Sequence, residues 1–262
     1  MGREWCLILG ASSGMGRACA LALSREGFNI VGVHLDPSER QDEVNRLIAQ
    51  IRHSGVDVRF FNENAASDAQ RAAMLGALPP SVRETGGFKV LVHSLAFGSL
   101  LPFIRRANDE PVLTRRQIDM TMSVMAHSIV YWVQDLVEQK LMGAGARVFA
   151  LTSAGSSRAS RHYGAVSAAK CALESHVRQL ALELAPLGIC VNAIRAGVTI
   201  TPSLQRIPGY EQLVERAREF NPHQRLTEPD DVGQAIALLS GAPSSWITGN
   251  VIGVDGGEIL TT

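Results

Sequence analysis

Residues Leu9–Gly27 read LGASSGMGRACALALSREG, and this stretch joins a short apolar run to a helix through Gly10, Gly14 and Gly16. Glycine lets the backbone curl close to a pyrophosphate, and the amino terminus of a helix supplies unpaired N–H groups and partial positive charge. The turn follows a predicted strand at the start of a strand–helix–strand unit, which is the context in which such glycines bind nucleotides. It therefore indicates a dinucleotide site more strongly than a plain structural turn.

Short β-rich runs alternate with helical patterns along the rest of the sequence. Most runs are almost continuously apolar, as expected for parallel strands that are covered on both faces. The predicted strands are Trp5–Leu9, Ile30–Val33, Val56–Phe61, Lys89–His93, Arg147–Thr152, Ile189–Ile194 and Asn250–Val254. The predicted helices are Met15–Glu26, Glu39–His53, Asp68–Ala77, Thr114–Leu141, Tyr163–Ala185, Tyr210–Phe220 and Pro229–Ser240. This order predicts an α/β Rossmann fold, a single doubly wound parallel sheet of seven strands with helices on both faces, and one domain over residues 1–262.

Composition and charge restrict the classes of protein to which the chain can belong. Of its 262 residues, 46% are hydrophobic and 19% are charged, and the formal net charge is +0. Such a balance provides no basic field for nucleic acid or anionic lipid, and no apolar run reaches membrane-spanning length. The beginning of the sequence is typical of a first strand rather than a signal peptide. We expect a cytoplasmic protein without a nucleic-acid or membrane partner.

The cysteines give no sign of a metal site. Cys6, Cys19, Cys171 and Cys190 fall in apolar strand or helix patterns and lack the spacing of metal ligands. Buried free thiols in a reducing cytoplasm are the simplest interpretation, and no metal is predicted.

The end of the second predicted strand bears on the choice of cofactor. A carboxylate at this point can hydrogen-bond the adenosine ribose 2′-hydroxyl and repel a 2′-phosphate. His34 stands where that acid usually closes the strand, and Asp36 follows two places later. Arg40 comes four residues after Asp36 and could fold back, whereas Asp36 could simply begin the turn at Pro37. The pattern favours NADH and leaves NADPH open.

Five motifs occur in an order that resembles the short-chain dehydrogenase/reductase superfamily over nearly the whole chain. They are GASSGMG at 10–16, LVHSLAFG at 91–98, LTSAGSS at 151–157, YGAVSAAK at 163–170 and VNAIRAGVTITP at 191–202. The His-Ser turn at 93–94 and the Tyr-x6-Lys spacing are similar to those of its enoyl-acyl-carrier-protein reductases. The resemblance implies an NAD(P)H-dependent oxidoreductase that reduces an enoyl thioester, as in fatty acid biosynthesis. The acyl group of this substrate is expected on a carrier protein or on a small molecule.

The same resemblance implies where the cofactor lies, along the carboxyl edge of the sheet. The residues expected at the nucleotide are Gly10, Ser12, Ser13, Gly14, Met15 and Gly16 at the pyrophosphate, His34 and Asp36 at the adenosine ribose, Asn64 and Ala65 at the adenine, Ser94, Leu95 and Ala96 under the ribose, Lys170 at the nicotinamide ribose, and Gly197, Val198 and Thr199 along the nicotinamide.

The candidate catalytic pair is Tyr163 and Lys170, which are seven residues apart. A helix advances about 100° per residue, so seven positions return to nearly the same face, with Cα atoms about 10 Å apart. Lysine can then reach the nicotinamide ribose while the phenol acts as an oxyanion donor or proton source for a carbonyl oxygen displaced from the hydride-accepting carbon. Alternatively, Tyr163 is a packing residue and Val166 marks a lost catalytic site. Lys170 argues against this, because a lysine among small residues on a packed helix needs a polar partner.

Ser153 keeps two further interpretations open. It stands ten residues before Tyr163, where many enoyl reductases have a second tyrosine and where ketone reductases of the superfamily have serine. It either lines the substrate pocket as a catalytic residue or is a turn hydroxyl. Met125 stands where ketone reductases carry an asparagine. The alternatives are therefore a ketone or alcohol dehydrogenase or 3-ketoacyl reductase, and a non-catalytic dinucleotide-binding protein.

Two expectations concern segments around the site. Residues 198–222, after the sixth strand, should form a lid over an acyl chain, or else a fixed covering helix. The predicted helices Thr114–Leu141 and Tyr163–Ala185 are strongly apolar, with Tyr131, Trp132 and Val133 in succession, which predicts a subunit contact. By resemblance to the superfamily, the assembly expected is a homotetramer.

Overall fold

Seven parallel strands form one sheet in the part of the chain that the computed structural model describes, residues 2–106, 110–241 and 246–261. The strands are β1 (Trp5–Leu9), β2 (Asn29–His34), β3 (Val58–Asn62), β4 (Phe88–His93), β5 (Arg147–Ser153), β6 (Cys190–Ala196) and β7 (Val251–Val254). Across the sheet they lie in the order β3-β2-β1-β4-β5-β6-β7. The winding reverses between β1 and β4, and their carboxyl ends therefore border a crevice of the kind that binds ligands. The predicted doubly wound sheet is confirmed.

Helices cover both faces of this sheet. They are α1 (Gly14–Arg25), α2 (Gln41–His53), α3 (Asp68–Gly76), α4 (Pro80–Glu84), α5 (Arg115–Met122), α6 (Ser128–Glu138), α7 (Gly164–Leu184), α8 (Tyr210–Phe220), α9 (Pro229–Gly241) and α10 (Glu258–Thr261). Side chains of α1, α2 and α9 pack against one face of the strands, and side chains of α3, α4, α6 and α7 pack against the other. Burial on both faces explains why the strand sequences are apolar at nearly every position. The sequence did not predict α4 and α10, because helices of five and four residues are too short to show a period.

The predicted helix Thr114–Leu141 is divided in the structure. α5 ends at Met122, α6 begins at Ser128, and the residues between them, Ser123–His127, form a turn of π-helix. On either side of this turn, the hydroxyls of Thr121 and Ser128 donate to the carbonyl oxygen four residues earlier, at 2.7 Å and 2.8 Å. Such bonds compete with the helix's own hydrogen bonds, and π turns are frequent at functional sites.

The apolar run that predicted a subunit contact lies mostly inside the subunit. Trp132 and Val133 are only 1% and 2% exposed. The indole of Trp132 donates to the carbonyl oxygen of Ala65 at 2.8 Å and so ties α6 to the turn after β3. Tyr131 is exposed, and the guanidinium of Arg71 lies over its ring. The run therefore gives no support to a homotetramer, because its largest apolar residues already belong to the core.

The glycine turn is where the two halves of the sheet meet. Gly10 has φ +86°, and a Cβ atom there would lie 2.5 Å from the carbonyl oxygen of Ser94, which follows β4. A Cβ atom at Gly16, in the first turn of α1, would collide with the carbonyl oxygen of Gly10. The backbone of α1 thus rests directly on the turn after β1, and only glycine permits this approach.

We expect Gly16→Ala to lower the free energy of unfolding by about 1–3 kcal/mol, because either α1 or the turn must move to accommodate the methyl group. Gly76→Ala is the matched control. Gly76 closes α3, and a Cβ atom there would meet nothing within 4 Å. Urea unfolding curves measure both changes. Equal midpoints for Gly16→Ala and the unmodified protein would contradict the assigned packing.

Candidate active site

The turn between β1 and α1 has the properties of an anion site. Gly14 has φ +52° and begins the helix. Ser13, the residue before it, is extended, and its side chain makes no capping hydrogen bond. The first N–H groups of a helix have no partner within the helix, so they remain available to a ligand here. The predicted pyrophosphate residues therefore fit a dinucleotide, and no side chain obstructs them at Gly10, Gly14 or Gly16.

The residues predicted at the adenosine ribose form a connected group at the end of β2. The ring Nδ1 of His34 lies 2.9 Å from one carboxylate oxygen of Asp36, and Nη1 of Arg40 donates to the other at 2.7 Å. Burial lowers the pKa of His34, although Asp36 acts in the opposite direction. Arg40 does fold back onto Asp36, so the carboxylate predicted at the ribose has a cation beside it that partly neutralises it.

Beside them, the turn after β3 holds the two residues predicted at the adenine. The side-chain oxygen of Asn64 accepts a hydrogen bond from the N–H of Ala66 at 2.9 Å. Ala65 is buried, and its carbonyl oxygen is already bonded to Trp132. Hydrogen bonds within the protein therefore hold both residues in this turn.

Ser94, Leu95 and Ala96 follow β4 and lie next to the glycine turn. The N–H of Ser94 donates to the carbonyl oxygen of Leu9 at 2.9 Å. Leu95 packs against the hydrophobic core on the side of the sheet that α6 and α7 cover, whereas Ala96 is exposed. The three residues thus run from the turn after β1 toward solvent along the crevice.

The loop predicted along the nicotinamide, residues 197–199, is hydrogen-bonded to Glu258 of α10. The N–H of Val198 donates to Glu258 at 2.9 Å, and the hydroxyl of Thr199 donates to the carbonyl oxygen of Gly197 at 2.9 Å. Burial raises the pKa of Glu258. The sequence did not predict a role for Glu258, because nothing in its local pattern indicates that a short carboxyl-terminal helix meets the loop after β6.

The predicted lid begins directly across from the glycine turn. A Cβ atom at Gly14 would lie 3.4 Å from the side chain of Thr201. A cavity of about 360 Å³ separates α1 from this segment, with Ile200 and Pro202 in its wall. Residues 204–206 form a short turn before α8, and Asn221 anchors the far end by donating to the carbonyl oxygen of Asp255 at 2.9 Å.

Tyr163 and Ser153 meet at the carboxyl end of β5. Tyr163 precedes the first residue of α7, and its hydroxyl lies 3.4 Å from the hydroxyl of Ser153. A Cβ atom at Gly155 would collide with an edge of the tyrosine ring, so the ring packs closely against that backbone. Burial raises the pKa of Tyr163, and the bond from Ser153 opposes the effect. The phenol is therefore protonated at neutral pH and can act as a donor.

Lys170 is 7% exposed, and its ammonium group donates to the carbonyl oxygen of Leu151 at 2.6 Å. This carbonyl is the polar partner that the sequence required. Burial lowers the pKa of Lys170 to about 8. Burial and then the charge of Lys170 lower the pKa of His93 to about 3. The neutral ring donates from Nε2 to the hydroxyl of Ser128 at 2.8 Å, since that hydroxyl's own proton goes to a backbone carbonyl.

Apolar side chains occupy the position that is one helical turn closer to Lys170 than Tyr163 is. Val166 and Met125 are buried, and both touch the backbone of Gly98. A Cβ atom at Gly98 would lie 2.7 Å from Val166 and 2.9 Å from Met125. Next to Tyr163, the ring of Phe103 covers Gly164 and remains 54% exposed. An exposed apolar side chain therefore lies at the mouth of the site, beside Tyr163.

Three of the four cysteines are buried and one is exposed. Cys6, Cys19 and Cys190 are buried as predicted, and burial raises the pKa of Cys19 to about 12. Cys171 is exposed, contrary to prediction, because it lies on the solvent side of α7. Within residues 2–106, 110–241 and 246–261, no group of three potential metal ligands occurs. No helix in these ranges has the length and apolarity to cross a membrane.

Comparison with known proteins identifies the family. The family model described as enoyl-(acyl carrier protein) reductase matches residues 10–258. The 1-cyclohexenylcarbonyl-CoA reductase of Streptomyces collinus is 30% identical over 97% of this chain and 86% of that protein. The NADPH enoyl-[acyl-carrier-protein] reductase of Staphylococcus aureus strain MRSA252 is 26% identical over 91% of this chain and 89% of that protein.

A solved structure shows the same similarity in three dimensions. The 3-oxoacyl-[acyl-carrier protein] reductase from Brucella melitensis, in complex with NAD, superposes with a TM-score of 0.81 at 25% identity, over 100% of this chain and 99% of that chain. With the fold and the glycine turn, these matches remove the non-catalytic alternative. The chain belongs to the enoyl-(acyl carrier protein) reductase-like branch of the short-chain dehydrogenase/reductase superfamily and is an NAD(P)-dependent oxidoreductase.

Proposed function

We propose that the protein reduces the carbon–carbon double bond of an enoyl thioester. The observation that carries this proposal is the position of the phenol of Tyr163. It lies one helical turn beyond Val166, and Val166 is packed beneath the backbone of Gly98. A ketone oxygen sits on the carbon that receives hydride, whereas the oxygen of an enoyl thioester lies two carbons farther away. The displaced hydroxyl suits the second arrangement.

The residues of the site divide the chemistry between them. The nicotinamide cofactor, when bound, supplies the hydride that adds to the β-carbon of the substrate. As the electron pair of the double bond moves toward the thioester, Tyr163 donates a hydrogen bond to the carbonyl oxygen that becomes an enolate. A proton, from Tyr163 or from water, then adds to the α-carbon. Ser153 lies within reach of the phenol oxygen and orients it.

Lys170 holds the nucleotide in this scheme. Its charge favours hydrogen bonds to the nicotinamide ribose, and it has protons beyond the one that it donates to Leu151. The glycine turn holds the pyrophosphate in the middle of the dinucleotide, and the loop at 197–199 holds its nicotinamide end. The proposed assembly remains a cytoplasmic homotetramer, by resemblance to the superfamily.

We place the acyl chain at the mouth of the site, where apolar side chains are exposed. Phe97 and Phe103 are each 54% exposed, and Ile200, in the wall of the cavity beside α1, is 49% exposed. Such side chains provide contact for a hydrocarbon chain carried by coenzyme A or by an acyl carrier protein. Residues 198–222 then act as the lid.

A second candidate function follows from a different observation. The contact between Ser153 and Tyr163 at 3.4 Å is the arrangement expected in a reductase that protonates a carbonyl oxygen directly. The alternative is therefore a 3-ketoacyl reductase or another ketone or alcohol dehydrogenase. A panel of an enoyl thioester, a 3-ketoacyl thioester and simple ketones, followed by nicotinamide absorbance, separates the two.

We expect turnover with the enoyl thioester, and we expect Tyr163→Phe to lower kcat at least about a hundredfold while the nucleotide Kd stays within about twofold. Only the donor hydroxyl is removed, and the ring still packs on Gly155. Tyr131→Phe is the matched control, since Tyr131 lies on α6 away from the site, and it should keep full turnover. If Tyr163→Phe retains full turnover on every accepted substrate, the assigned role of the phenol is wrong.

NADH is the proposed cofactor, because the carboxylate of Asp36 is the group proposed to bond the adenosine ribose 2′-hydroxyl, and it would repel a 2′-phosphate there. Asp36→Ala should lower the preference for NADH over NADPH by about tenfold, or roughly 1.4 kcal/mol, since it removes a repulsion and frees Arg40. Arg40→Ala should shift the preference in the opposite direction. Binding titrations with both nucleotides measure these ratios, and tighter binding of NADPH by the unmodified protein would contradict the proposal.

The pKa of Lys170 sets a pH limit. Burial lowers that pKa to about 8, so the ammonium form, which binds the ribose, predominates below this pH and is lost above it. We expect kcat/KM for the nucleotide to fall above about pH 8 with a slope approaching tenfold per pH unit. Lys170→Arg should remove this limb from whatever activity remains, since arginine stays charged. A flat profile to pH 10 would contradict the assignment.

A further inference from the structure

Glu174 belongs to the same helix as the catalytic pair, one turn beyond Lys170. Its carboxylate does not extend into solvent but meets the end of β5. The hydroxyl of Thr152, which is 4% exposed, donates to one carboxylate oxygen at 2.6 Å. Neither residue has a part in the chemistry described above, and the pair therefore needs an explanation of its own.

We propose that Glu174 is a positioning residue that keeps Lys170 charged and in place, and that Thr152 fixes the carboxylate for this purpose. The proposal rests on the proposed function only in its assignment of Lys170 to the nucleotide.

The geometry comes from two consecutive residues of one strand. Leu151 accepts from Lys170 through its carbonyl oxygen, and Thr152 donates to Glu174 through its side chain, each at 2.6 Å. Positions four apart on a helix lie on the same face, so both groups of α7 point toward the same strand end. The two bonds hold the ammonium and the carboxylate in a constant relation to each other.

Glu174 is the negatively charged group that acts on the ammonium of Lys170. Burial disfavours the ammonium form, and the negative charge of Glu174 raises the pKa of Lys170 against that effect. The neighbouring groups Tyr163 and His93 carry no charge at neutral pH, because burial raises the pKa of the first and lowers that of the second.

Two other titratable groups near this strand end, Arg195 and His176, contact different partners. Arg195 of β6 is the register partner of Thr152, so their side chains leave the same face of the sheet. Its guanidinium lies 3.4 Å from Asp255. On α7 itself, His176 faces His127 at 3.0 Å, on the side toward the π turn.

The small number of lysines allows the charge of Lys170 to be measured directly. The chain contains three lysines, Lys89, Lys140 and Lys170. Protein labelled with 13C at the lysine ε-carbon therefore gives three signals by nuclear magnetic resonance, and Lys170→Arg identifies the one from Lys170. The pH titration of that signal in the nucleotide-free protein reports the charge of Lys170 without any substrate.

In the unmodified protein we expect a midpoint near the pKa of about 8. Glu174→Gln should lower it by about one pH unit, since the amide can still accept from Thr152 but the charge is gone. Thr152→Val should lower it by a smaller amount, because the carboxylate remains but is no longer held. Glu183→Gln is the matched control on the exposed side of α7 and should leave the midpoint unchanged.

An unchanged Lys170 midpoint in Glu174→Gln overturns the proposal. If that variant does not fold, an unchanged midpoint in Thr152→Val overturns it equally. A lowered midpoint in a protein that reduces no enoyl thioester would support the role of Glu174 and contradict the proposed reaction, so the two failures are distinct. The pH limit of nucleotide affinity should move down by the same amount as the midpoint.

Discussion

Helix α1 can lie against the ends of β1 and β4 only because Gly10 and Gly16 have no side chains. The carbonyl oxygen of Gly10 occupies the space of a Cβ atom at Gly16, and the carbonyl oxygen of Ser94 does the same at Gly10. This approach aims the unpaired N–H groups of α1 at the crevice where the winding of the sheet reverses. The other parts of the site are arranged around that crevice by the remaining strand ends.

Burial of Lys170 determines the electrostatics of the site. Moving an ammonium group out of water is unfavourable unless hydrogen bonds and an opposite charge replace its hydration. The carbonyl oxygen of Leu151 supplies the bond. Burial also keeps Tyr163 and His93 neutral. A positively charged lysine beside a neutral phenol is the combination that can hold a nucleotide and donate to an oxygen that becomes negative.

The packing at Gly98 links the shape of the site to the proposed reaction. Val166 and Met125 close the space one turn nearer to Lys170, and Phe103 covers the start of α7. A polar oxygen would find no donor among these apolar groups, whereas a hydrocarbon chain would find contact. The hydroxyl of Tyr163 itself lies 3.4 Å from the hydroxyl of Ser153, at the carboxyl end of β5.

The sequence by itself determined the α/β class, the glycine turn and the seven-residue spacing of Tyr163 and Lys170 at the start of one helical segment. These are local properties, because periodicity and spacing depend on residues that are close in the chain. Tertiary structure alone decided that the apolar residue Trp132 belongs to the core, that Arg40 lies on Asp36, and that Glu174 meets Thr152. Such contacts join side chains whose meeting depends on how whole elements pack, and a pattern of neighbouring residues contains no record of that packing.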